Sequence, residues 1–305
     1  MTTPAISGVL PVAPTAFRDD ETLDLGSQAR MVDFLVDAQA GAICILANYS
    51  EQFSLTDSER DQVAACVLER AAGRVPVIVT TSHFSARIAA ERSRQAQQLG
   101  AAMVMLMPPY HGVTMTADEP GVADYFRRVA DAIDIPIMIQ DAPLSGTRLS
   151  AAQIAGLAAE IPQLQYAKIE MPQAAAKLRE VIRLAADALP GPCDGEESVT
   201  LIPDLDAGAV GTMPSAAVPD LLGQVVRAYR AGDREQAVAR WEGILPLIHF
   251  ENRQCGLRAA KVLLTEGHVI ASEATRMPLR PLPPETRAGL LELARRRDPL
   301  VLRWA

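Results

Sequence analysis

The sequence is poor in several residue types that mark common protein classes. Aromatic residues make up only 4% of the 305 residues, which is too few for a surface that stacks nucleic-acid bases. The net charge of −8 also disfavours nucleic acids and anionic membranes as partners. No apolar run reaches the ~18 residues of a membrane span, and no positive region precedes the apolar N-terminal stretch, so we expect neither a membrane segment nor a signal peptide.

Cysteine and histidine are also scarce, with four residues of each. The cysteines are widely spaced and form no CxxC pair, which predicts reduced thiols and a cytoplasmic protein. The histidines form no HExxH or other close pair, so the sequence does not support a metal site. A small anion remains a possible ligand, because a few local donors can bind one whatever the net charge.

The chain does contain short apolar runs that alternate with amphipathic stretches. Hydrophobic residues make up 49% and charged residues 22%, as in ordinary globular proteins. Runs such as AICILAN and VPVIVT predict strands that are buried on both faces of a parallel sheet. The predicted strands are 8–13, 42–48, 75–81, 101–107, 136–142, 165–170, 192–196 and 209–214.

Helical segments lie between these strands, and two of them begin with a capping box, at Thr56 and at Ser150. Eight strands with interposed helices predict an α/β fold, a (β/α)8 TIM barrel. The alternative, a doubly wound sheet, needs a glycine-rich phosphate turn that VLPVAPTAF lacks. Beyond residue 220 the pattern is helical, so we predict a catalytic barrel over 1–220 and a C-terminal helical domain over 221–305.

Only three of the 29 basic residues are lysines. Lys177 and Lys261 lie in amphipathic helices, where we expect them to be exposed. Lys168 lies in the apolar run QLQYAKIE, near the end of the sixth predicted strand, and must be buried or face the mouth of the barrel. Burial lowers the pKa of an amine and makes it nucleophilic toward carbonyl carbons, which predicts a Schiff-base lysine. The alternative is an ion-paired structural lysine.

Further polar residues follow the predicted strands. Glu170 lies two residues after Lys168 and therefore on the same strand face, where it can pair with the amine or act as a general acid or base. Tyr110 follows the fourth strand and places a phenol at the mouth, although simple packing explains it equally well. The turn Asn48-Tyr49-Ser50-Glu51 after the second strand offers several donors to a substrate carboxylate.

The order of these motifs resembles the dihydrodipicolinate synthase and N-acetylneuraminate lyase family over essentially the whole chain. The motifs are GVLPVAPTAF, the turn at Asn48, MPPYHG, PIMIQDAPLSG, YAKIE and GAVGTMPS. The resemblance implies a class I aldolase-like barrel, usually a homotetramer, that forms an imine with an α-keto acid and uses no metal or organic cofactor. It implies that Lys168 is the Schiff-base lysine, that Asn48, Tyr49 and Ser50 hold the keto-acid carboxylate, and that Tyr110 stands where a neighbouring subunit's tyrosine often enters the site.

The chain departs from the family pattern after the fifth predicted strand. The family usually has YNxP there, with a tyrosine that relays protons, whereas this chain has Gln140-Asp141-Ala142-Pro143. The arginine of an SRTG-like turn is also missing, and Leu144-Ser145-Gly146 stands in its place. Retro-aldol cleavage needs the phenol, while dehydration needs a base at C3 and an acid for the departing hydroxyl, so these departures favour elimination.

Longer motifs such as ILANYSEQF, QDAPLSGT and HFENRQ look like the family's sugar-acid dehydratases. The resemblance implies a small keto-deoxy sugar acid as the substrate, namely 2-keto-3-deoxy-L-arabonate, which loses water to give 2,5-dioxopentanoate. An aldolase that releases pyruvate and an aldehyde, and a barrel that only binds keto acids, remain alternatives. Further candidate substrate contacts are Gln140, Ser145, Glu196, Thr212 and Met213. For the last three, at the mouths of the seventh and eighth predicted strands, loop structure is an equally good explanation.

Overall fold

The computed structural model describes residues 6–111 and 115–304, so Gly112 of the MPPYHG motif and the first five residues lie outside the described residues. Each of the eight predicted strands overlaps an observed strand, and a short hairpin, β5–β6, appears that the sequence did not predict. The strands are β1 (Gly8–Val9), β2 (Ile43–Ile45), β3 (Val77–Thr80), β4 (Met103–Leu106), β5 (Tyr110–His111), β6 (Met115–Thr116), β7 (Ile137–Asp141), β8 (Leu164–Ile169), β9 (Gly191–Asp194) and β10 (Gly211–Thr212).

Helices separate most of the strands and make up most of the chain after Pro219. Both predicted capping boxes are present, and at Thr56 the hydroxyl accepts a hydrogen bond from the Glu59 amide at 3.3 Å. Within the described ranges, none of the helices has the length and apolarity needed to cross a membrane. The helices are α1 (Leu25–Asp37), α2 (Asp57–Ala71), α3 (Ala86–Gln98), α4 (Glu119–Ala130), α5 (Ala151–Glu160), α6 (Ala174–Ala185), α7 (Leu201–Asp206), α8 (Pro219–Arg230), α9 (Arg234–Phe250), α10 (Arg258–Glu266) and α11 (Pro284–Arg295).

The residues fall into two compact units, each built from separated stretches of the chain. Unit A comprises Val77–Glu196, Thr200–Met213 and the described part of Met1–Ser7. Unit B comprises Gly8–Pro76, Glu197–Val199 and the described part of Pro214–Ala305. The division at residue 220 that the sequence predicts does not coincide with either unit and stays a prediction.

Unit A contains six parallel strands in the order β3-β4-β7-β8-β9-β10. Almost every residue of these strands is buried, as the unbroken apolar runs predict. In the register of β7 and β8, Gln140 stands opposite Lys168, and in that of β9 and β10, Asp194 stands opposite Thr212. Gln140 and Lys168 lie one residue before the ends of their strands, and Asp194 and Thr212 lie at the ends of theirs, so all four are at one edge of the sheet.

Unit B contains β1, β2, helices α1 and α2, and all helices from α8 onward. Val12 bridges Cys44 on one side and Ser215 on the other in parallel fashion, which continues the pairing beyond β1. Helix α9 runs into a π-helical turn, Glu251–Cys255, that ends at Gly256 with a φ of +61°. Single π-helical turns are rare and often mark functional sites.

Candidate active site

Lys168 is the buried lysine of unit A. It lies on β8, one residue before the strand ends, and is 3% exposed. Its Nζ lies 2.6 Å from Oε1 of Glu170, whose side chain is 15% exposed. Alternation along the strand puts the two side chains on one face, as the sequence predicts. A buried amine next to a carboxylate that remains open to solvent can exchange protons with it.

Gln140 on β7 completes this cluster. Its Nε2 donates a hydrogen bond to Oε1 of Glu170 at 2.8 Å, so one carboxylate oxygen receives both the amine and the amide. The Oε1 of Gln140 is buried, and no donor among the described residues reaches it. The amide therefore orients Glu170 and leaves an acceptor for a hydroxyl group or a water molecule. The structure thus brings together Lys168, Glu170 and Gln140, three of the predicted site residues.

Gly195, next to the candidate residue Glu196 at the mouth of the seventh predicted strand, forms one wall of the cluster. A Cβ at this position would lie 2.5 Å from Cγ of Glu170 and 2.8 Å from Cγ of Lys168. The Gly195 amide donates to the carbonyl of Ile169 at 2.9 Å, which holds the turn after β9 close to the end of β8. Only glycine allows this approach, and a single sequence carries no signal that separates such a glycine from a turn glycine.

Four other predicted site residues of unit A lie outside this cluster, namely Ser145, Glu196, Thr212 and Met213. The hydroxyl of Ser145 donates to the carbonyls of Pro108 and Thr147, at 3.2 and 3.0 Å. These hydrogen bonds stabilise the loop after β7. Thr212 is buried and donates its hydroxyl to Asp194, and Glu196 is half-buried with its amide bound to the same aspartate at 2.9 Å. Met213 is fully buried after β10. Their roles toward a substrate stay predictions.

Tyr110 lies in hairpin β5–β6, opposite Thr116, and not directly at the end of β4. Its ring is half-buried, and burial raises the pKa of the phenol above its ordinary value of 10.0. The phenol therefore carries its proton at neutral pH and can donate it. Its predicted catalytic role is not tested by these contacts and stays a prediction.

The predicted carboxylate turn lies in unit B as a 3₁₀ turn, Asn48–Ser50. The Ser50 hydroxyl donates to the carbonyl of Ala13 at 2.6 Å, and the Tyr49 hydroxyl donates to Oδ1 of Asn252 at 3.3 Å. Asn48 accepts from Gln52 at 2.6 Å. These bonds hold the turn in a defined conformation, and its role toward a substrate carboxylate stays a prediction.

The expectation that Lys261 is exposed is wrong. Its side chain is 1% exposed, forms an ion pair with the fully buried carboxylate of Glu51, and lies 4.4 Å from the centre of the Phe17 ring. The second oxygen of Glu51 accepts from the amide of Arg276 at 3.0 Å. The amphipathic pattern of α10 located a polar face correctly but could not show that this face is covered, because the partner carboxylate lies 210 residues away.

Lys177 is likewise not a solvent-exposed residue of α6. Its Nζ binds the carboxylate of Asp141, whose side chain is 2% exposed, and the carbonyl of Leu149. Burial raises the pKa of Asp141 although Lys177 opposes the change. The pair ties the last residue of β7 to the following helices and leaves Gln140, one residue earlier, on the other face of the strand.

Sequence reasoning also missed the buried carboxyl of Glu251 in the π-helical turn. Burial raises its pKa to about 7, while a hydrogen bond with Ser215 opposes the change. Its Oε1 is buried, and none of the described N–H or O–H groups reaches it. The motif HFENRQ, which contributes to the family resemblance, contains this residue and Asn252, the partner of Tyr49. Its sequence position at the end of a helix gave no indication of burial.

The close approach at Gly195 predicts that Gly195→Ala is disruptive. The added methyl group must displace the stems of Lys168 and Glu170, and a misplacement of about 1 Å can lower turnover about 100-fold. Gly156→Ala in α5 is the control, because the described atoms leave open space there and alanine favours the helix by about 0.5–1 kcal/mol. Turnover and urea unfolding of both variants check the prediction, and a Gly195→Ala enzyme with normal turnover would contradict it.

The buried pair in unit B predicts that Lys261→Met destabilises the protein. Loss of the lysine leaves the Glu51 carboxylate buried without its cation, which costs about 3–5 kcal/mol of unfolding free energy. Replacing the exposed Arg296 by methionine should cost less than about 0.5 kcal/mol, since its ion pair with Glu292 lies in solvent. Urea unfolding of both variants measures the difference, and equal losses would contradict the burial argument.

Solved structures with similar folds cover nearly the whole chain. One is a protein described as a putative dihydrodipicolinate synthetase from Pseudomonas aeruginosa, with a TM-score of 0.89, 28% identity, and coverage of 95% of this chain and 98% of that one. Another is a prophage protein of the dihydrodipicolinic acid synthase family from E. coli K12 in complex with pyruvate, with a TM-score of 0.88, 25% identity, and coverage of 96% and 98%. The predicted fold class, a (β/α)8 barrel with a C-terminal helical part, is confirmed.

Sequence comparison gives the same family. The chain is 57% identical over 303 residues to a protein of Azospirillum brasilense named L-2-keto-3-deoxyarabonate dehydratase, which is 99% of this chain and 98% of that protein. The model of the dihydrodipicolinate synthetase family matches residues 5–296. The chain therefore belongs to the dihydrodipicolinate synthetase family.

Proposed function

We propose that this protein is a hydro-lyase that dehydrates 2-keto-3-deoxy-L-arabonate to 2,5-dioxopentanoate through a Schiff base at Lys168. The observation that carries the proposal is the 2.6 Å contact between the buried Lys168 amine and the Glu170 carboxylate. The identity of 57% to a protein named as a dehydratase of this keto acid supports the choice of substrate.

The first step is imine formation. The Lys168 amine attacks the C2 ketone, and the hydroxyl of the resulting carbinolamine leaves as water. Glu170 lies within reach to take the proton that the ammonium must lose before it attacks. The protonated imine then draws electrons from C3 and makes its hydrogens acidic. The pyruvate complex of the E. coli K12 prophage protein supports a 2-keto acid as the ligand class.

Elimination follows at C3 and C4. Glu170, oriented by the Gln140 amide at 2.8 Å, takes a proton from C3, and the C4 hydroxyl leaves as water with a proton from a general acid. A proton lost at C5, followed by tautomerisation, creates the terminal aldehyde, and hydrolysis of the imine releases the product. The open acceptor of Gln140 suits a substrate hydroxyl, and this side chain can neither take nor give a proton.

Two further groups complete the proposed site. Tyr110 is the candidate acid for the departing hydroxyl, because burial raises the pKa of its phenol and keeps it protonated. The turn Asn48–Ser50 is proposed to hold the carboxylate, with Ser145, Glu196, Thr212 and Met213 as candidate lining. The family resemblance supports a cytoplasmic homotetramer, and the four cysteines are reduced thiols.

Borohydride trapping tests the imine. With pyruvate and borohydride, the wild-type protein should gain one reduced adduct, and peptide mapping should place it on Lys168, because only three lysines compete. Lys168→Ala should lose the adduct and lower turnover at least about 1,000-fold, since no other amine occupies this position. A wild-type protein that forms no adduct would favour a barrel that only binds keto acids.

A coupled lactate dehydrogenase assay, run with 2-keto-3-deoxy-L-arabonate, separates dehydration from cleavage. Dehydration yields 2,5-dioxopentanoate and no pyruvate, so NADH should not be consumed in step with substrate loss. Pyruvate formed in proportion to the substrate lost would make the protein an aldolase.

Hydrogen exchange tests Glu170 as the base at C3. In D₂O the wild-type protein should exchange the methyl hydrogens of pyruvate, which NMR detects. Glu170→Gln keeps the shape of the side chain and should still form the imine, but it should lower this exchange about 100- to 10,000-fold because an amide accepts no proton. Glu180→Gln, at an exposed carboxylate of α6, is the matched control. Wild-type exchange in Glu170→Gln would contradict the assigned role.

A further inference from the structure

Two buried carboxyl groups, which the proposed chemistry does not use, face each other in unit A. Asp194 ends β9 and Asp204 lies in α7, and both residues are 0% exposed. The two carboxyl groups lie close enough to shift each other's pKa, and Oδ1 of Asp204 is buried where none of the described donors reaches it. Asp194 also accepts hydrogen bonds from the Thr212 hydroxyl and the Glu196 amide, and Asp204 accepts one from the Thr200 hydroxyl at 2.6 Å. The four oxygens of the two carboxyl groups therefore receive hydrogen bonds from only three donors among the described residues.

Two carboxyl groups can bond to each other only when they share a proton. The two donors on Asp194 stabilise a negative charge there, which leaves the proton on Asp204. Burial and the charge of Asp194 raise the pKa of Asp204 to about 7. Burial also raises the pKa of Asp194, although its hydrogen bonds and the positive charge of Lys168 oppose the change.

Few charged groups among the described residues lie near Asp204. The negative charges of Asp194 and Glu196 both favour its protonated form. Helix α6, which packs against α7, contributes Lys177, which binds Asp141, and three exposed residues. Those exposed residues are Arg179, Glu180 and Arg183.

The pair is connected to the catalytic cluster through the turn after β9. Asp194 pairs in register with Ile169, so its side chain lies on the opposite face of the sheet from Lys168. It therefore does not touch the reacting atoms. Its carboxylate holds the Glu196 amide at 2.9 Å, and the residue between them is Gly195, whose Cα forms the wall against Lys168 and Glu170.

We propose that Asp194 and Asp204 form a proton-sharing carboxyl pair that fixes the Gly195–Glu196 turn against Lys168 and Glu170, and so positions the amine for imine formation. The inference rests on the proposed function, because it concerns the lysine that forms the imine. Loss of the shared proton places two negative charges side by side and releases the turn. The rate of imine formation therefore has a component that falls as Asp204 ionises.

Trapping with pyruvate and borohydride between pH 5.5 and 8.5 tests the pair. Asp204→Asn should trap at close to the wild-type rate at pH 6 and lose the inflection near pH 7, because its amide donates to Asp194 at every pH. Asp194→Ala and Asp204→Ala should trap about 10- to 100-fold more slowly, since the turn loses its anchor. Asp206→Asn, an exposed position on the same helix, is the charge-matched control and should keep the wild-type profile.

Unfolding in urea at pH 5 and pH 8 gives a second, independent measurement. The raised pKa of Asp204 means that the folded protein binds its proton more tightly than the unfolded chain does. This contribution to stability is complete below about pH 4 and is lost as pH rises through about 7. Asp194 and Glu251 act in the same direction, so the expected result is a smaller loss of stability between pH 5 and 8 in Asp204→Asn than in the wild type.

The outcomes separate the inference from the proposed function. If the wild-type protein forms no adduct, the proposed function fails, and the positioning role fails with it. If the wild-type protein forms the adduct but the alanine variants trap at its rate, the positioning role alone is overturned. If an alanine variant does not fold, Asp204→Asn decides, because an unchanged inflection near pH 7 in that variant also overturns the pair.

Discussion

The ion pair between Lys168 and Glu170 is the contact on which the proposed chemistry depends. An ammonium group on a strand that is buried on both faces is strongly disfavoured unless a carboxylate lies beside it. Glu170 meets this requirement because it lies two residues after Lys168, directly after the end of the strand. Its side chain is 15% exposed to solvent. The position satisfies two demands together, because the carboxylate stabilises the buried charge and can still exchange protons with a ligand.

All three lysines of the chain form ion pairs with buried or half-buried carboxylates, whereas arginines form most of the exposed ion pairs. Lys168 pairs with Glu170, Lys177 with Asp141 and Lys261 with Glu51. A lysine presents a compact charge on a flexible stem, and its pKa shifts readily on burial, whereas a guanidinium stays charged. The pairs of Lys177 and Lys261 tie the end of a strand or a turn to a helix, whereas the pair on β8 combines a buried amine with a carboxylate that is 15% exposed.

The fold was predictable because strands and helix starts are encoded locally. Unbroken apolar runs located all eight strands, and Thr56 and Ser150 marked two helix starts. The site was predictable where residues are close in sequence, as Lys168 and Glu170 are, or where they lie near the ends of neighbouring predicted strands, as Gln140 and Lys168 do. Lys261 and Glu51 lie 210 residues apart, and the contact of Gly195 with two side chain stems depends on β8 and β9 meeting in a particular register. Such contacts leave no periodic pattern, and neither does the hairpin at Tyr110.

Gln140 limits which reaction this site can perform. A phenol in its place could take the proton of a substrate hydroxyl and drive cleavage of the adjacent carbon–carbon bond, whereas an amide can only donate and accept hydrogen bonds. Its Nε2 is already bound to Glu170, so the side chain orients the base and offers a single acceptor to the substrate. A hydroxyl bound there keeps its proton and can leave as water only when another group protonates it. In the proposed reaction, Glu170 is therefore the group of this cluster that transfers the proton at C3, and this favours elimination over cleavage.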